Sequence, residues 1–480
     1  MDCQLDIAPN PSADSPPRVG VVIVSWNKKN DLLNLLGSLG TLNYPDADII
    51  VIDNASDDGS AHEVREKHPE TILLVNDTNL GGTGGFNTGL DYCREAGYDY
   101  IWLLDNDAGI TPDALMHLVV VAESDPMIGV VGSKILNAED PAYIVKLGAN
   151  IDWSRGCVRS ISQNVRDFVS MNDFADVDYV PFCSALIRRS CLLVAGRLDE
   201  RFFLYWDDTD FCLRSKRHGY KTVIATKSVV YHPSFTEKSR EYNYYLIRNT
   251  FLFFVKHVKP IPLIRTLYNV LGRFIKNLFF AKLIGDMRGS AVLTKGLADF
   301  LRLRFGKEIA VSPLCKADIS FPSLLPQGLA GSKILITYEG SADTMKLAFA
   351  QIPENARHDA TILVPFSRSD LYASHKENIM ILDDRVKNLF LEHVRIFLKI
   401  VMERFDTVIT THRSMSPFAF AASRTFFFDS ATISFSKVPI SKGKLPFLVA
   451  SIILCYLLTI FILPVFWVVG TFLVKKQYCE

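Results

Sequence analysis

Four apolar runs lie within the first 105 residues, Val19 to Ser25, Ile49 to Ile52, Thr71 to Val75 and Tyr100 to Leu104, and helical periodicity fills the intervals near Asp31 to Leu42, Ala61 to Lys67 and Thr88 to Ala96. Strands that alternate with helices in this way predict a parallel, doubly wound α/β sheet. Each run ends in polar residues: Trp26-Asn27, Asp53-Asn54, Asn79 with the glycines after it, and Asp105-Asn106-Asp107. Ligands of open α/β sheets collect at the carboxyl ends of the strands, so these four ends predict one shared polar site.

Asp105 and Asp107 are two residues apart after a buried-strand pattern, and in an extended chain they would face the same way, towards one divalent cation. The same spacing recurs at Asp46/Asp48, Asp176/Asp178 and Asp208/Asp210, but only the pair at 105 ends a long apolar run. The stretch from Asp53 to Ser60 offers carboxylates and amides to a base or ribose. It is not a calcium loop, because Ala55 stands where that pattern needs an oxygen. Asp57 to Ser60 are read as a turn that caps the next helix. Gly81, Gly82, Gly84 and Gly85 are expected to form a turn before a helix, either as a plain connection or as a close-approach loop whose N–H groups attract phosphate.

A third constellation runs from Phe202 through Trp206, Asp207, Asp208 and Asp210 to Arg214, followed by Val229 to His232. Aromatic surroundings and mutual repulsion raise the proton affinity of adjacent carboxylates, which tunes one of them as a general base. Asp207 and Asp210 are read as loop or cap residues. His232, at the end of another apolar run, is either a satisfied structural side chain or part of a metal shell.

With 480 residues the chain has room for about two to four domains. Its 52 basic and 52 acidic side chains cancel, which removes global attraction to nucleic acid. Nine cysteines without a CxxC pair fit reduced thiols. Residues 1–17 are Pro-rich and read as a flexible tail. Residues 18–250 are read as the main α/β domain. Residues 251–310 form a basic amphipathic helical region suited to an anionic membrane surface or a pyrophosphate-lipid. A second strand–helix alternation at 330–436 predicts another small α/β domain, with runs at Ile334 to Thr337, Ala360 to Pro365, Ile379 to Leu382, Thr407 to Thr410 and Arg424 to Phe428. From Leu445 to Val474 no charge occurs over 30 positions, a length that as a helix spans ~45 Å against a hydrocarbon core of ~30 Å. That segment is expected to be transmembrane or re-entrant.

Taken in order, Ser25-Trp26-Asn27, Asp53-Asn54, Asn79 with its glycines, Asp105-Asn106-Asp107, Trp206-Asp207-Asp208-x-Asp210 and His232 resemble the inverting family 2 glycosyltransferases of the GT-A fold, over roughly residues 18 to 305. The resemblance implies a Rossmann-like nucleotide-diphospho-sugar transferase domain. It implies that Ser25, Asp53, Asn54, Asn79, Gly82, Gly84, Asp105 and Asn106 bind the donor. Asp105, Asp107 and His232 would hold Mn²⁺ or Mg²⁺, and Asp208 would be the catalytic base. Trp153, Trp206, Asp207 and Arg248 are the expected acceptor contacts.

Gly-Gly-Thr-Gly-Gly-Phe together with Trp-Asp-Asp is most similar to bacterial galactofuranosyltransferases, with rhamnosyltransferases as near relatives. The implied reaction moves a sugar from a nucleotide donor to a lipid-linked glycan at the cytoplasmic face of a bacterial inner membrane, in envelope polysaccharide or O-antigen synthesis. UDP-galactofuranose is the leading donor and dTDP-rhamnose the alternative. Two other classes are weighed: a nucleotidyltransferase, which would release pyrophosphate, and a catalytically silent glycan-assembly protein, which would tolerate loss of Asp208.

Overall fold

The computed structural model describes residues 16–161, 165–167, 174–233, 242–283 and 287–307, and beyond them 333–337, 360–365, 379–382, 407–410, 424–429, 434–438 and single positions at 395, 405, 459, 460, 463, 464 and 468. Its contacts divide the chain into two units. The first comprises Met1–Ile151, Val158–Gln163 and Asp167–Pro233; the second comprises Asp152–Cys157, Asn164–Arg166 and Ser234–Glu480.

The N-terminal elements are β1 (Val19–Ser25), α1 (Lys29–Leu39), β2 (Ala47–Asp53), α2 (Ser60–Lys67), β3 (Ile72–Val75), α3 (Gly81–Ala96) and β4 (Tyr100–Asp105). They are followed by β5 (Gly109–Ile110), α4 (Ala114–Glu123), β6 (Ile128–Asn137), β7 (Tyr143–Lys146), β8 (Ala149–Asp152), β9 (Cys157–Ser160), β10 (Val165–Arg166), β11 (Phe174–Val177), β12 (Ser184–Arg188), α5 (Arg189–Ala195), α6 (Asp207–Arg217) and β13 (Lys221–His232). In the first unit the strands are ordered β7-β6-β12-β4-β1-β2-β3.

β1 pairs in parallel with β2 and β4, so Ser25 lies beside Asp53 and Val24 beside Asp105. Sheet position explains the composition of β1: it is covered on both faces, and Val19, Val21, Val22 and Ile23 are fully buried. Each such side chain contributes about 1.5–3 kcal/mol of apolar burial. In α1, Leu32, Leu35, Leu36 and Leu39 repeat at helical spacing and all turn inward, with Asp31 in the first turn facing the positive end of the helix dipole.

The parallel expectation holds from β3 through β4 and fails beyond it. β12 enters antiparallel to both β4 and β6, making the sheet mixed. The apolar run that ends at His232 belongs to one long strand, β13 (Lys221–His232), whose register against β6 shifts between Ala225 and Val229. β12 begins only at Ser184; Pro181, which has no N–H to give a ladder, lies shortly before it.

The glycine cluster is a second correction. It is not a turn preceding a helix at Thr88; α3 itself starts at Gly81. Glycine inside a helix costs about 1 kcal/mol relative to alanine, and close packing offsets that here. A Cβ on Gly85 would lie 2.5 Å from Val24 Cγ1, and one on Gly89 2.3 Å from Val22 Cγ1. Four residues apart, these glycines form a flat face that lets α3 lie against β1.

The second unit contains α7 (Tyr242–His257), α8 (Pro260–Leu283) and α9 (Met287–Leu301), so the domain boundary expected at 250 falls inside a helix. Five further strands, β14 (Ile334–Thr337), β15 (Ala360–Pro365), β16 (Ile379–Leu382), β17 (Thr407–Thr410) and β18 (Arg424–Asp429), match the apolar runs of the 330–436 region. A sixth, β19 (Ser434–Val438), adds antiparallel to β18 in the order β16-β15-β14-β17-β18-β19. The 445–474 segment lies outside the described residues except for five positions. No helix among the described residues is long and apolar enough to cross a membrane.

Candidate active site

The carboxyl ends of β1, β2 and β4 and the end of β13 meet as the sheet register dictates. β5 pairs antiparallel with β13, Tyr231 opposite Gly109, which swings His232 back over the turn that follows β4. His232 Nε2 lies 3.6 Å from Asp105 Oδ2 and 3.2 Å from Asp107 Oδ1. The two carboxylates do not share one extended strand, as their spacing implied. β4 ends at Asp105, and a turn closed by Ala108 N–H donating to the Asp105 carbonyl at 3.2 Å brings Asp107 back to the same point.

His232 is buried, and its Nδ1 is 2.6 Å from the carbonyl oxygen of Pro233. A proton on Nδ1 in that bond leaves Nε2 directed at the carboxylates. Burial disfavours the imidazolium, but hydrogen bonds and charge from Asp105 and Asp107 outweigh it and push the pKa up to about 10. Two carboxylates and an imidazole are a donor set suited to Mn²⁺ and related divalent ions, so the residues fit the expected metal.

The donor-side residues form a bonded cradle. Asn106 Nδ2 donates to Ser25 Oγ at 3.0 Å. Asn54 is buried, and its side chain pins the loop before α3: Nδ2 donates to the Asn79 Oδ1 at 3.2 Å and the Gly81 carbonyl at 2.9 Å, while Oδ1 accepts the Leu80 N–H at 3.0 Å. Asn79 Oδ1 also accepts the Gly81 N–H at 2.8 Å. Asp53 Oδ2 accepts the Ser56 N–H at 3.2 Å, whereas Asp53 Oδ1 is a buried carboxylate oxygen with no hydrogen-bond partner. Asp58 ties the starts of α1 and α2 by accepting from Lys29 N at 2.8 Å and Ser60 N at 3.0 Å, which makes the 57–60 stretch structural as expected.

The N-terminus of α3 is filled by the protein itself. The Thr83 N–H donates to the Phe203 carbonyl at 3.2 Å, and Thr83 Oγ1 donates to Asp207 Oδ2 at 2.9 Å. Gly84 would place a Cβ 2.6 Å from Leu80 Cβ and so serves packing in the helix start, whereas a Cβ on Gly82 would make only an ordinary contact, 3.5 Å from Leu204 Cδ1. Phe203, Tyr205 and Trp206 all have left-handed backbone, with φ of 63°, 66° and 72°. Three such residues in four carry conformational strain immediately before Asp207 and Asp208.

Gly81, at φ +75°, meets this segment so closely that a Cβ would sit 2.3 Å from the Phe203 carbonyl oxygen. Gly81→Ala should therefore lose about 2–5 kcal/mol in urea unfolding, from backbone strain and overpacking together. An unchanged midpoint would mean that α3 does not rest on residue 203.

Asp208 is half-buried and accepts from Thr209 N at 2.6 Å and Thr209 Oγ1 at 3.0 Å. Burial pushes its carboxyl above the usual range; the Lys146 cation pulls against that rise, and the Asp105 charge adds to it. Asp207 is raised as well, by burial and by the charge of Asp208. Asp210 pairs with Arg214 at 2.8 Å along α6.

A carboxylate whose folded pKa lies above its unfolded value stabilises the fold only while protonated, and that stability is lost as pH rises from the unfolded value through the folded one. Asp207→Asn should therefore raise the melting temperature above that of the parent at pH 8 in metal-free buffer, with the advantage fading towards pH 4. A pH-independent difference would show that the Asp207 charge carries no cost.

Lys146 and Tyr179 were not anticipated. Lys146 Nζ donates to Tyr179 Oη at 2.5 Å and lies 4.8 Å from its ring centroid. Despite burial, Tyr179 and Asp208 hold the ammonium charged. No local motif marks either residue. Cys183, read only as a reduced thiol, groups with Asp105 and His232, each offering a ligand atom within 4.8 Å of the others.

Two expected acceptor contacts lie in the second unit. Trp153 stacks on Phe253 at 6.1 Å and meets Phe254 edge-on at 6.2 Å. Arg248 is completely buried; it donates to the Gly306 carbonyl at 2.7 Å and lies over the rings of Tyr244 and Tyr245. That leaves Arg248 no surface for a sugar and makes it a packing residue. Trp206, the other tryptophan expected at the acceptor, is half-buried at the left-handed entry to α6.

The mixed α/β sheet gathers Asp105, Asp107 and His232 at its strand ends, and residues 20–190 match the model for glycosyl transferase family 2. That match assigns a glycosyltransferase family 2 domain to residues 20–190. Among curated proteins it is similar to galactofuranosyltransferase GlfT2 of Mycolicibacterium smegmatis, 24% identical over 323 residues, covering 61% of this chain and 48% of the relative. It is also similar to galactofuranosyltransferase GlfT1 of Mycobacterium tuberculosis, 24% identical over 218 residues, covering 45% of this chain and 70% of the relative. The chain thus spans about half the length of GlfT2. Among solved structures it has a loose likeness to a Pyrobaculum calidifontis mannosyltransferase, with TM-score 0.39, 19% identity, and coverage of 62% of this chain and 86% of that one.

Proposed function

We propose that this protein is an inverting, metal-dependent glycosyltransferase that moves galactofuranose from UDP-galactofuranose to a lipid-linked glycan at the cytoplasmic face of a bacterial inner membrane. The observation that carries the reading is the meeting of Asp105, Asp107 and His232 at one point. The similarity to two galactofuranosyltransferases supports the choice of sugar.

Asp105, Asp107 and His232 would hold the divalent cation, whose charge offsets that of the diphosphate leaving group. Asp53, with its unpartnered Oδ1, has an acceptor available for a nucleoside N–H or O–H. Asp208 takes the proton of an acceptor hydroxyl; its oxygen bonds to the anomeric carbon as the bond to the diphosphate oxygen breaks. One displacement from the opposite face inverts the centre. Lys146 favours the ionised form of Asp208, opposing burial and the charge of Asp105.

The test is nucleoside-diphosphate release from UDP-galactofuranose or dTDP-rhamnose with a lipid-linked acceptor and Mn²⁺. UDP release that requires acceptor and stops in EDTA supports the reading. Release of dTDP alone moves the donor to rhamnose, pyrophosphate release points to nucleotidyl transfer, and no release with any nucleotide sugar would sink the enzyme assignment.

A further inference from the structure

The reversal of β12 brings an unassigned thiol to the carboxylate–histidine cluster. Because β12 runs against β4, the segment that leads into it stands beside the end of β4, and the Asp105 N–H donates to the Cys183 carbonyl at 3.2 Å. The Cys183 side chain is 4% exposed, and its sulfur, an Asp105 oxygen and a His232 nitrogen lie within 4.8 Å of one another. Ligand atoms around one ion at bond lengths of about 2.0–2.3 Å are roughly 3.3–3.8 Å apart, so side-chain adjustments of about an ångström close the set.

The other buried thiols have different surroundings. Burial pushes the thiols of Cys93 and Cys191 up to about 12 and about 11 and raises that of Cys212 as well, and none of the three belongs to a ligand cluster among the described residues.

We propose that Cys183 is a direct ligand of the divalent cation, giving a mixed sulfur, nitrogen and oxygen centre that favours thiophilic or borderline ions over Mg²⁺. The inference rests on the reading of Asp105, Asp107 and His232 as metal ligands. On binding, a sulfur–metal bond forms and the thiol proton passes to solvent; no electrons are transferred. Thiolate ligation selects softer ions, whereas carboxylates and water alone suit Mg²⁺.

Co²⁺ titration of the full chain tests this by spectroscopy, independently of activity. The expected result is a near-ultraviolet thiolate-to-cobalt charge-transfer band that disappears in Cys183→Ser although equilibrium dialysis still finds Co²⁺ bound. Cd²⁺ affinity should fall by at least about 10-fold in that variant, with Mg²⁺ affinity changed less than about 3-fold. Should Cys183→Ser fold poorly, alkylation of Cys183 in the unsubstituted chain, mapped by mass spectrometry, should slow by about 10-fold or more with Cd²⁺ and recover with EDTA.

Co²⁺ binding without the band, a band that survives Cys183→Ser, or alkylation indifferent to Cd²⁺ overturns the thiol ligand and leaves the carboxylate–histidine site standing. Absence of Co²⁺ binding, or binding untouched by Asp105→Asn, overturns both.

Discussion

Asp208→Asn is expected to lower sugar transfer by about 10²–10⁴-fold, the range for removing a general base. Asparagine has the same shape and keeps an oxygen for the Thr209 N–H now bonded at 2.6 Å, so the entry to α6 should persist. What disappears is the proton acceptor and one member of a repelling carboxylate pair. Stability should be unchanged or slightly higher, and Mn²⁺ and UDP binding should remain within a few-fold of the parent. That separation of kcat from binding is the informative readout. A variant that retains more than a tenth of the parental kcat would remove Asp208 from the base role.

The second large effect is expected at His232. Its Nε2, 3.2 Å from Asp107 and 3.6 Å from Asp105, is the nitrogen donor of the cluster, and its removal leaves neighbouring carboxylates to repel one another. His232→Ala should weaken Mn²⁺ binding by at least about 10–100-fold, judged from the loss seen when even outer partners of a metal site are removed. Activity at low Mn²⁺ should fall accordingly and recover in part when Mn²⁺ is raised. An unchanged Mn²⁺ dependence would reassign His232 to a structural role, held by the Pro233 carbonyl and the acidic turn.

β1, β2 and β4 were legible because they lie inside the sheet and are largely buried, and continuous apolar runs follow from that; β3, at the sheet edge, is apolar but only partly buried. Their polar ends were legible because residues that leave the core at a strand terminus have no packing reason to be Asp or Asn. Direction was not legible. An apolar run such as Ser184 to Arg188 reads the same whether its neighbours run parallel or antiparallel, so the approach of Cys183 to Asp105 was hidden.

The start of α3 was misplaced for a different reason. Glycine usually marks a turn, and only the contact distances to Val22, Val24 and Phe203 reveal that small side chains are required by packing inside the helix. Lys146 escaped notice because its partner Tyr179 is 33 residues away in sequence. The burial of Arg248 was not legible either: arginine is rarely buried, and its hydrogen bond to Gly306 crosses 58 residues of sequence and leaves no trace in either segment.

β12 also divides the effects of sequence change between its two ends. At Cys183 the chain adjoins Asp105; at the far end, Arg188 donates to the Ile128 carbonyl at 2.9 Å and lies 5.0 Å from the Tyr100 ring centroid. The distance between these regimes is only about 17 Å, five residues at about 3.4 Å each. Drift near Arg188 would register first as lost anchorage, whereas drift at Cys183 would register as altered reactivity in a protein that still folds. One short strand therefore separates the evolution of durability from the evolution of chemistry.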